Sequence, residues 1–501
     1  MTRPWVLVLA GALLTVLAYP PFHLFVPSFI VLVPLYWLLD RAARGVRPAR
    51  GGWYGLAAGL AANGALHWWM PVALRPYTPH PVLASVLAVV LLSLYWGLFG
   101  WWAVRTWIGL PRVPRWLVFA AGWTAMEWVF GHHGSIAFPW LGLGTSLTGF
   151  PDVVQWADVA GARGVTFWLA AVNALAAVFL LSPARQWRSA LAVIGSVVVA
   201  LGYGALRTRS LETHGVGRVL LVQSNEQLAV ERDASEWSEA LAVLADHTER
   251  AVAASRPDLV LWPEAALPEG STEHLEAVQD LARRVGVPMV IGELERVPDE
   301  MSTRGRLYNS AIVIDAAGRK SGQVYRKRHL VPVAERGAIE PGAEATIMRL
   351  PNAAAGVVIC YEVAFEGLAR NYRRGQAEVL LNLSNDAWAG STNARSQHAA
   401  HLVMRAIETR MGVARVANTG PSLVVDPLGR VTASTPSDVS TSLTAELATS
   451  GVTSWYVRMG DWVALAAGIV VLGLTGMLLS SSRPGRAGVR GGWKGRAQAC
   501  R

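Results

Sequence analysis

The sequence predicts a polytopic α-helical membrane bundle of about eight spans that carries a soluble α/β domain. The 501 residues are 52% hydrophobic and only 16% charged, which is unusual for a soluble enzyme of this size. Several apolar runs reach the length of about 20 residues that a bilayer-spanning helix needs. Between residues 217 and 448 the composition changes to that of a globular domain of ordinary size.

The predicted spans follow the apolar runs in chain order. They lie near 4–19, 24–40, 52–73, 82–104, 116–131, 164–182, 189–205 and 461–480. The first run follows Arg3 but lacks a convincing small-residue cleavage site, so we expect it to be retained as a span. The chain is therefore expected to divide into a membrane domain (1–206), an outward-facing domain (217–448), an eighth span (461–480) and a basic cytoplasmic tail (481–501).

The distribution of basic residues predicts the orientation. Lysine and arginine in short connections are held on the cytoplasmic side. With the N-terminus inside, the outer connections hold only Arg75 and Arg163, and the inner ones hold many more. The soluble domain is thus expected on the periplasmic face of the cytoplasmic membrane. The net charge of +10 is expected to face lipid headgroups, and no aromatic-interleaved basic motif indicates nucleic-acid binding.

Within the soluble domain, β-branched apolar runs alternate with amphipathic stretches. Strands are expected at 218–225, 259–264, 288–293, 310–315, 356–360, 379–383, 413–417 and 422–426. Helices are expected at about 234–254, 272–285, 363–373 and 394–411. The polar segment 296–306 is predicted to be an exposed loop, and 331–350 is a candidate lid.

Three reactive side chains follow apolar runs or lie in a polar loop of this domain: Cys360, Glu264 and Lys327. A lone cysteine on an apolar strand is most often a small buried hydrophobe. Beside a carboxylate and an ammonium, however, a thiol can act as a nucleophile, because the acid takes its proton and the cation favours the thiolate and an oxyanion. The chain has only three lysines among its 45 basic residues, so Lys327 indicates a need for a point charge. Cys500 is expected across the membrane from Cys360, so a disulfide is not expected.

The segments around these residues resemble a known superfamily. They are Trp262-Pro263-Glu264, Tyr325-Arg326-Lys327 and Cys360-Tyr361-Glu362. They resemble the Glu-Lys-Cys signature of the nitrilase (carbon-nitrogen hydrolase) superfamily. Together with the spans and segments 138–140, 155–158, 382–388 and 415–420, nearly the full chain resembles its membrane-bound apolipoprotein N-acyltransferases. The resemblance implies an αββα sandwich for the soluble domain and supporting roles for Glu335, Tyr361 and Glu362.

The activity that the resemblance implies is a two-step acyl transfer. Cys360 takes an acyl group from a membrane phospholipid, with phosphatidylethanolamine as the expected donor, and forms a thioester. The acyl group then passes to the α-amine of a diacylglyceryl-cysteine at the N-terminus of an apolipoprotein. Glu264 is expected to be the proton acceptor and Lys327 the oxyanion stabiliser. The donor is already an activated ester and the sequence has no Gly-rich phosphate loop, so no cofactor is expected.

Two other functions stay open from the sequence alone. A membrane-anchored amidase would use the same three groups and resolve the thioester with water. A transporter with a non-catalytic outer domain would show broken or polar helices paired between two halves of the membrane region, and none are evident.

His398 and His401 lack a third ligand in sequence reach, so no metal is expected. Glu127, near the outer end of the fifth span, is a candidate substrate-facing acid.

Overall fold

The computed structural model describes residues 3–182, 186–226, 234–299 and 302–481. Within these ranges the chain forms a bundle of apolar helices and an α/β sandwich that packs against it. Most of the basic tail used in the topology prediction, with Cys500, lies outside the described residues.

The bundle is built mainly from the first 210 residues. Its helices are α1 Pro4–Ala18, α2 Phe25–Ser28, α3 Val33–Arg44, α4 Pro48–Leu66, α5 Met70–Leu74, α6 Pro81–Gly109, α7 Arg115–Gly131, α8 Ala157–Leu181 and α9 Trp187–Ser210. Proline stands in the first turn of α1, α3, α4 and α6, where its missing N–H leaves no helical hydrogen bond unmade.

The soluble domain contains two six-stranded sheets. The first has the order β12-β1-β2-β3-β4-β5 and the second the order β11-β10-β9-β8-β7-β6. The strands are β1 His214–Gln223, β2 Leu259–Leu261, β3 Met289–Asp299, β4 Ser302–Ile314, β5 Lys320–Arg326, β6 Ile347–Arg349, β7 Ala354–Ile359, β8 Val379–Ser384, β9 Gly412–Ala417, β10 Leu423–Val425, β11 Val431–Ser434 and β12 Thr441–Thr449. The helices are α10 Ala234–Ser255, α11 Thr272–Val285, α12 Glu366–Arg374, α13 Ala394–Thr409 and α14 Trp455–Met459. A last helix, α15 Trp462–Ser481, returns to the bundle.

Both faces of each central sheet are covered. Val219 and Leu221 of β1 belong to the core between the two sheets, whereas Leu220 and Val222 belong to the core beneath α10 and α11. This alternation follows from the two-residue period of a strand. Helices α12 and α13 cover the outer face of the second sheet. The arrangement confirms the expected αββα sandwich.

Parallel pairing decides where the reactive side chains emerge. Strands β1, β2 and β3 pair in parallel at the centre of the first sheet, and β7, β8 and β9 do so in the second. Parallel strands end at a common edge, where loops carry functional groups. Glu264 follows β2 and Cys360 follows β7, so both are delivered to such an edge.

Fewer helices than expected have the length and hydropathy that a membrane span needs. Helices lie in all eight predicted stretches, but those long and apolar enough to cross a membrane number five among the described residues: Phe25–Arg44, Pro81–Gly109, Ala157–Leu181, Trp187–Ser210 and Trp462–Ser480. The count of eight is therefore not confirmed. The chain is a multi-pass membrane protein.

Helix α4 is rich in glycine because it packs closely on α6, where a Cβ at Gly55 would stand 2.1 Å from the carbonyl oxygen of Trp96.

One local prediction is wrong. The segment 296–306, expected to be a loop, belongs largely to the long antiparallel β3–β4 hairpin. Its polar side chains form ion pairs: Arg296 donates to Glu269 at 2.7 Å, and Arg306 donates to Asp299 at 3.0 Å. This part of the hairpin therefore lacks the apolar alternation from which a strand is predicted. Strand β5, which precedes Lys327, is polar for the same reason and was not expected.

Candidate active site

Glu264, Lys327 and Cys360 come from three separate strand ends and lie in one buried site. Lys327 Nζ donates a hydrogen bond to Glu264 Oε1 at 3.0 Å. The three residues are 7%, 1% and 4% exposed, respectively. Burial raises the pKa of the Cys360 thiol, and the charges of both other groups also act on it, Glu264 raising the pKa and Lys327 lowering it. The structure therefore brings together the three side chains singled out from the sequence.

The backbone presents Cys360 on a tight turn. Strand β7 ends at Ile359, and residues Cys360–Ala364 form a short 3-10 helix that leads into α12. Cys360 has φ +52°, a left-handed conformation that costs a non-glycine residue on the order of 1 kcal/mol or more and that clusters at active sites. Asn382 on β8 stabilises this turn by donating to the carbonyls of Val358 at 3.1 Å and Cys360 at 3.4 Å.

Glu264 sits on a similar turn. Ala265, the next residue, has φ +51°. Gly292 on β3 lies directly against this turn, where a Cβ would stand 2.6 Å from the Glu264 Cα. Because glycine has no Cβ, the backbone of Glu264 can lie flat against the sheet. Its second carboxylate oxygen accepts the backbone N–H of Asn385 at 2.8 Å, which fixes the orientation of the acid.

A second acid accepts from Lys327, and one amide joins the two acids. Glu335 Oε1 accepts from Lys327 Nζ at 2.7 Å, and its other oxygen accepts the N–H of Val331 at 2.8 Å. The buried Asn309 donates to Glu264 at 2.7 Å and to Glu335 at 3.3 Å. The ammonium thus lies between two carboxylates held by one amide. Sequence reasoning identified Glu335 but missed Asn309, which is an unremarkable polar residue within a strand.

The electrostatics of the site separate the roles of the two groups. Burial would lower the pKa of Lys327, but Glu264 and Glu335 outweigh it and the pKa lies well above its usual range. Burial, followed by the charge of Glu264, raises the pKa of the Cys360 thiol, and Lys327 offsets this only in part. The resting site therefore holds an ammonium and a protonated thiol, and such a thiol can act as a nucleophile only with a base.

Glu362 links the turn at Cys360–Ala364 to the residues that follow β5. It is fully buried and accepts hydrogen bonds from Tyr325 Oη at 2.8 Å, from Arg328 N at 2.7 Å and from Ile359 N at 2.8 Å. Burial would raise its pKa, but the hydrogen bonds from His329 and Ile359 lower it below the usual range. An ionised Glu362 thus ties β5 and β7 together across the two sheets.

Tyr361 links the same turn to the helix bundle. Its hydroxyl donates to the carbonyl of Ala137 at 2.9 Å, and its ring stacks against Phe138 and Trp140 at centroid distances of 6.2 Å and 6.1 Å. Residues 137–140 follow α7, so the bundle contacts the residue next to Cys360.

Tyr77, between α5 and α6, is a further contribution from the bundle that the sequence did not indicate. Burial raises its pKa, and the charges of Glu264 and Glu335 raise it further. Its phenol therefore lies within electrostatic reach of the two acids.

Cys360, Asp386 and His398 have potential ligand atoms within 4.8 Å of one another. Arg415 occupies this cluster: its guanidinium pairs with Asp386 and approaches His398 Nδ1 at 3.2 Å. A bound cation would therefore meet a guanidinium already in contact with two of the three groups. His401 is not a member of the cluster.

Two protein families match this chain. Residues 218–457 match the family described as carbon-nitrogen hydrolase, and residues 11–175 match the family described as apolipoprotein N-acyltransferase N-terminal domain. The solved structure of Saccharomyces cerevisiae Nit3, described as a member of branch 10 of the nitrilase superfamily, matches at 22% identity with a TM-score of 0.38, over 46% of this chain and 89% of its own.

Two full-length relatives are named apolipoprotein N-acyltransferase. The protein from Bradyrhizobium diazoefficiens is 31% identical over 92% of this chain and 92% of its own. The protein from Geobacter metallireducens is 28% identical over 93% of this chain and 94% of its own. The chain belongs to the apolipoprotein N-acyltransferase family.

Proposed function

We propose that the chain transfers a fatty acyl group from a membrane phospholipid, through a thioester on Cys360, to the N-terminal amine of diacylglyceryl-cysteine in apolipoproteins. The observation that carries this proposal is the meeting of Glu264, Lys327 and Cys360 in a domain that packs against a bundle of apolar helices. Cys360 is the nucleophile, Glu264 the proton acceptor and Lys327 the oxyanion stabiliser.

In the first step, Cys360 attacks the donor ester. Its raised pKa keeps the thiol protonated, so Glu264 takes the proton as the sulfur–carbon bond forms. The developing oxyanion is stabilised by the ammonium of Lys327, which two carboxylates keep charged. The ester C–O bond then breaks, and Glu264 returns the proton to the departing oxygen of the lysophospholipid. The acyl group remains on sulfur.

In the second step, the neutral amine of the acceptor attacks the thioester. Glu264 accepts a proton from the amine, and Lys327 stabilises the second oxyanion. The carbon–sulfur bond breaks, the proton returns to the sulfur, and an amide is formed. Because the amide is more stable than the thioester, the equilibrium of this step favours the amide product over the acyl-enzyme. Water would give a free fatty acid instead, as in the alternative amidase function.

The supporting groups act through the three catalytic side chains. Glu335 holds Lys327 in place and keeps it charged. Glu362 and Tyr361 hold the turn that carries Cys360, one from the Lys327 segment and the other from the bundle. We assign none of them a bond-making step.

We take phosphatidylethanolamine as the donor and place the soluble domain on the periplasmic side. The excess of arginine in the connections predicted to be cytoplasmic supports this orientation. An ester donor also suits a compartment without ATP, because no separate activation is needed. The relatives are named apolipoprotein N-acyltransferase, which is consistent with lipid and lipoprotein substrates.

The test uses purified protein in detergent with phosphatidylethanolamine that carries a labelled sn-1 acyl chain. Given a diacylglyceryl lipopeptide, the protein is expected to produce labelled N-acyl peptide in amounts that follow added enzyme. The matched control is Cys360→Ser, which is expected to produce none. Release of labelled free fatty acid with no N-acyl peptide would reject the transferase in favour of the amidase. Exchanging the donor headgroup for phosphoglycerol tests the choice of donor separately.

A further inference from the structure

A network of buried charges joins the helix bundle to the nucleophile turn, which is the segment Cys360–Ala364. Arg163 on α8 contacts Glu127 on α7 at 3.4 Å and Glu366 at the start of α12 at 3.1 Å. Arg405 on α13 contacts Glu366 at 3.8 Å and Glu408 at 2.9 Å. All five side chains are nearly or fully buried. Such charges are expensive to bury unless paired, so their pairing fixes how the two parts of the chain meet.

Glu127 is a member of this network. Its carboxylate accepts from Trp123 Nε1 at 2.8 Å, from Leu143 N at 2.8 Å and from Thr166 Oγ1 at 2.9 Å, in addition to its contact with Arg163. With its acceptor sites used in this way, the carboxylate orients Arg163 toward the soluble domain. The expectation of a substrate-facing acid receives no support from these contacts.

A break in α8 positions Arg163. Gly161 has φ +68° and ψ 179°, so the helix is interrupted one residue before Ala162. The break leaves the N–H of Ala162 free to donate to Glu408 at 2.6 Å. A Cβ at Gly161 would stand 2.3 Å from the ring of Tyr456 on α14, so only glycine fits this crossing. Arg163 follows directly and is aimed at Glu366.

Glu366 transmits this contact to the nucleophile. It begins α12 two residues after the Cys360–Ala364 turn, and Arg405 also approaches the carbonyl of Ala364 at 3.4 Å. Burial would raise the pKa of Glu366, but Arg163 and then Arg405 lower it to about 2, so the carboxylate stays charged. The far end of the turn is thus fixed by an ion pair with the bundle, while its near end is the strained Cys360.

We propose that Arg163 is a positioning residue for the acylation of Cys360. Through Glu366 it fixes the nucleophile turn, so that the thiol is correctly placed only when the soluble domain is docked on the bundle. This inference rests on the proposed function, because its readout is the thioester. It makes the bundle part of the catalytic apparatus and not only a membrane anchor.

The chain offers a matched control at the same interface. Arg410 is fully buried, pairs with Asp158 on α8 at 2.8 Å and donates to Gln155 at 2.7 Å. Arg410 therefore also joins the soluble domain to the bundle through a buried ion pair. Its side-chain partners lie at 155, 158 and 427, and none of them is in the nucleophile turn. Replacing it perturbs docking without perturbing Glu366.

The experiment compares Arg163→Met and Arg410→Met in full-length protein with labelled phosphatidylethanolamine and no acceptor. Thioester on Cys360 is followed by intact mass, below the unfolding temperature of both variants. Both are expected to unfold at lower temperature than the parent. Only Arg163→Met is expected to slow single-turnover acylation, by about 100-fold, because a displacement of about 1 Å can cost that much. The lipid concentration for half-maximal rate is expected to stay unchanged.

Two further variants keep the result decisive. Arg163→Lys retains the charge and is expected to recover at least part of the rate. Glu366→Gln removes the other partner of the ion pair and is expected to resemble Arg163→Met. It takes the place of Arg163→Met if Arg163→Met does not fold. Equal slowing by Arg163→Met and Arg410→Met, or no slowing by either, would overturn the inference. Absence of thioester in the parent protein would instead reject the proposed function.

Discussion

Removing the ammonium of Lys327 is the most informative change at the site. In Lys327→Met the apolar stem is preserved and only the charge is lost. The buried Lys327 has carboxylate partners at 3.0 Å and 2.7 Å, Glu264 and Glu335. Without it, these two acids share only the amide of Asn309. Two carboxylates that accept from one amide in a buried site cannot both stay ionised without a cation, so one takes up a proton.

Two losses follow from this change. Removing one partner of a buried ion pair costs roughly 3–5 kcal/mol of stability. Losing a preorganised oxyanion donor slows acylation by about 100- to 1000-fold, and protonating the base costs on the order of 100-fold more. We therefore expect acylation to fall by about four orders of magnitude or more. Adding Glu335→Gln removes one acid and is expected to recover about 1–3 kcal/mol of stability, but no activity.

The assay combines unfolding in detergent with single-turnover acylation of Cys360. Lys320→Met is the matched control, because Lys320 lies on the strand that precedes Lys327 and pairs with Glu293 at 2.8 Å, with 30% of its side chain exposed. An exposed pair contributes at most about 1 kcal/mol, so stability and rate are expected to change little. If Lys327→Met kept a tenth of the parent rate, the role given to the ammonium would be wrong.

Further predictions concern four other properties. Lys327→Arg is expected to be as inactive as Lys327→Met in the same assay, because a guanidinium is too wide for an ammonium site. Asn309→Ala is expected to slow acylation at least about tenfold, since two buried acceptors lose their donor. In Glu264→Gln, alkylation of Cys360 is expected to rise about tenfold per pH unit with no plateau near 8.5, because burial raises the thiol pKa. The folded-state pKa of Glu366 is lowered to about 2 from 4.5, so its stabilising contribution is complete above pH 4.5 and lost as the pH falls toward 2. Glu366→Gln is therefore expected to flatten that part of the stability profile, measured by thermal unfolding.

The central strands were predictable because both of their faces are buried, and the helices because one of their faces is buried. The run that ends in Cys360 is apolar throughout, and the structure buries every residue of β7. Helices α10 and α11 were recognisable from their amphipathic period. The polar first part of β4 and all of β5 were not recognisable, because cross-strand pairs such as Arg326 with Glu295 replace apolar contacts there.

The triad was identifiable because each member stands out from its surroundings. Lys327 is a rare lysine, and Cys360 and Glu264 each end an apolar run. Asn309 and Tyr77 were not identifiable, since neither residue type is unusual in its segment and only folding brings them near Glu264. The role of Arg163 depends on a helix break and on a partner 203 positions away in the chain, which no local pattern reveals.

The most direct test of the central claim is a pulse and chase on the isolated acyl-enzyme. The protein is incubated with labelled phosphatidylethanolamine, freed of lipid, and then mixed with a diacylglyceryl lipopeptide. We predict label on the Cys360 peptide after the pulse and its stoichiometric transfer to the acceptor amine during the chase. Label that reaches the acceptor without ever residing on Cys360, or that stays on Cys360 through the chase, would contradict the account.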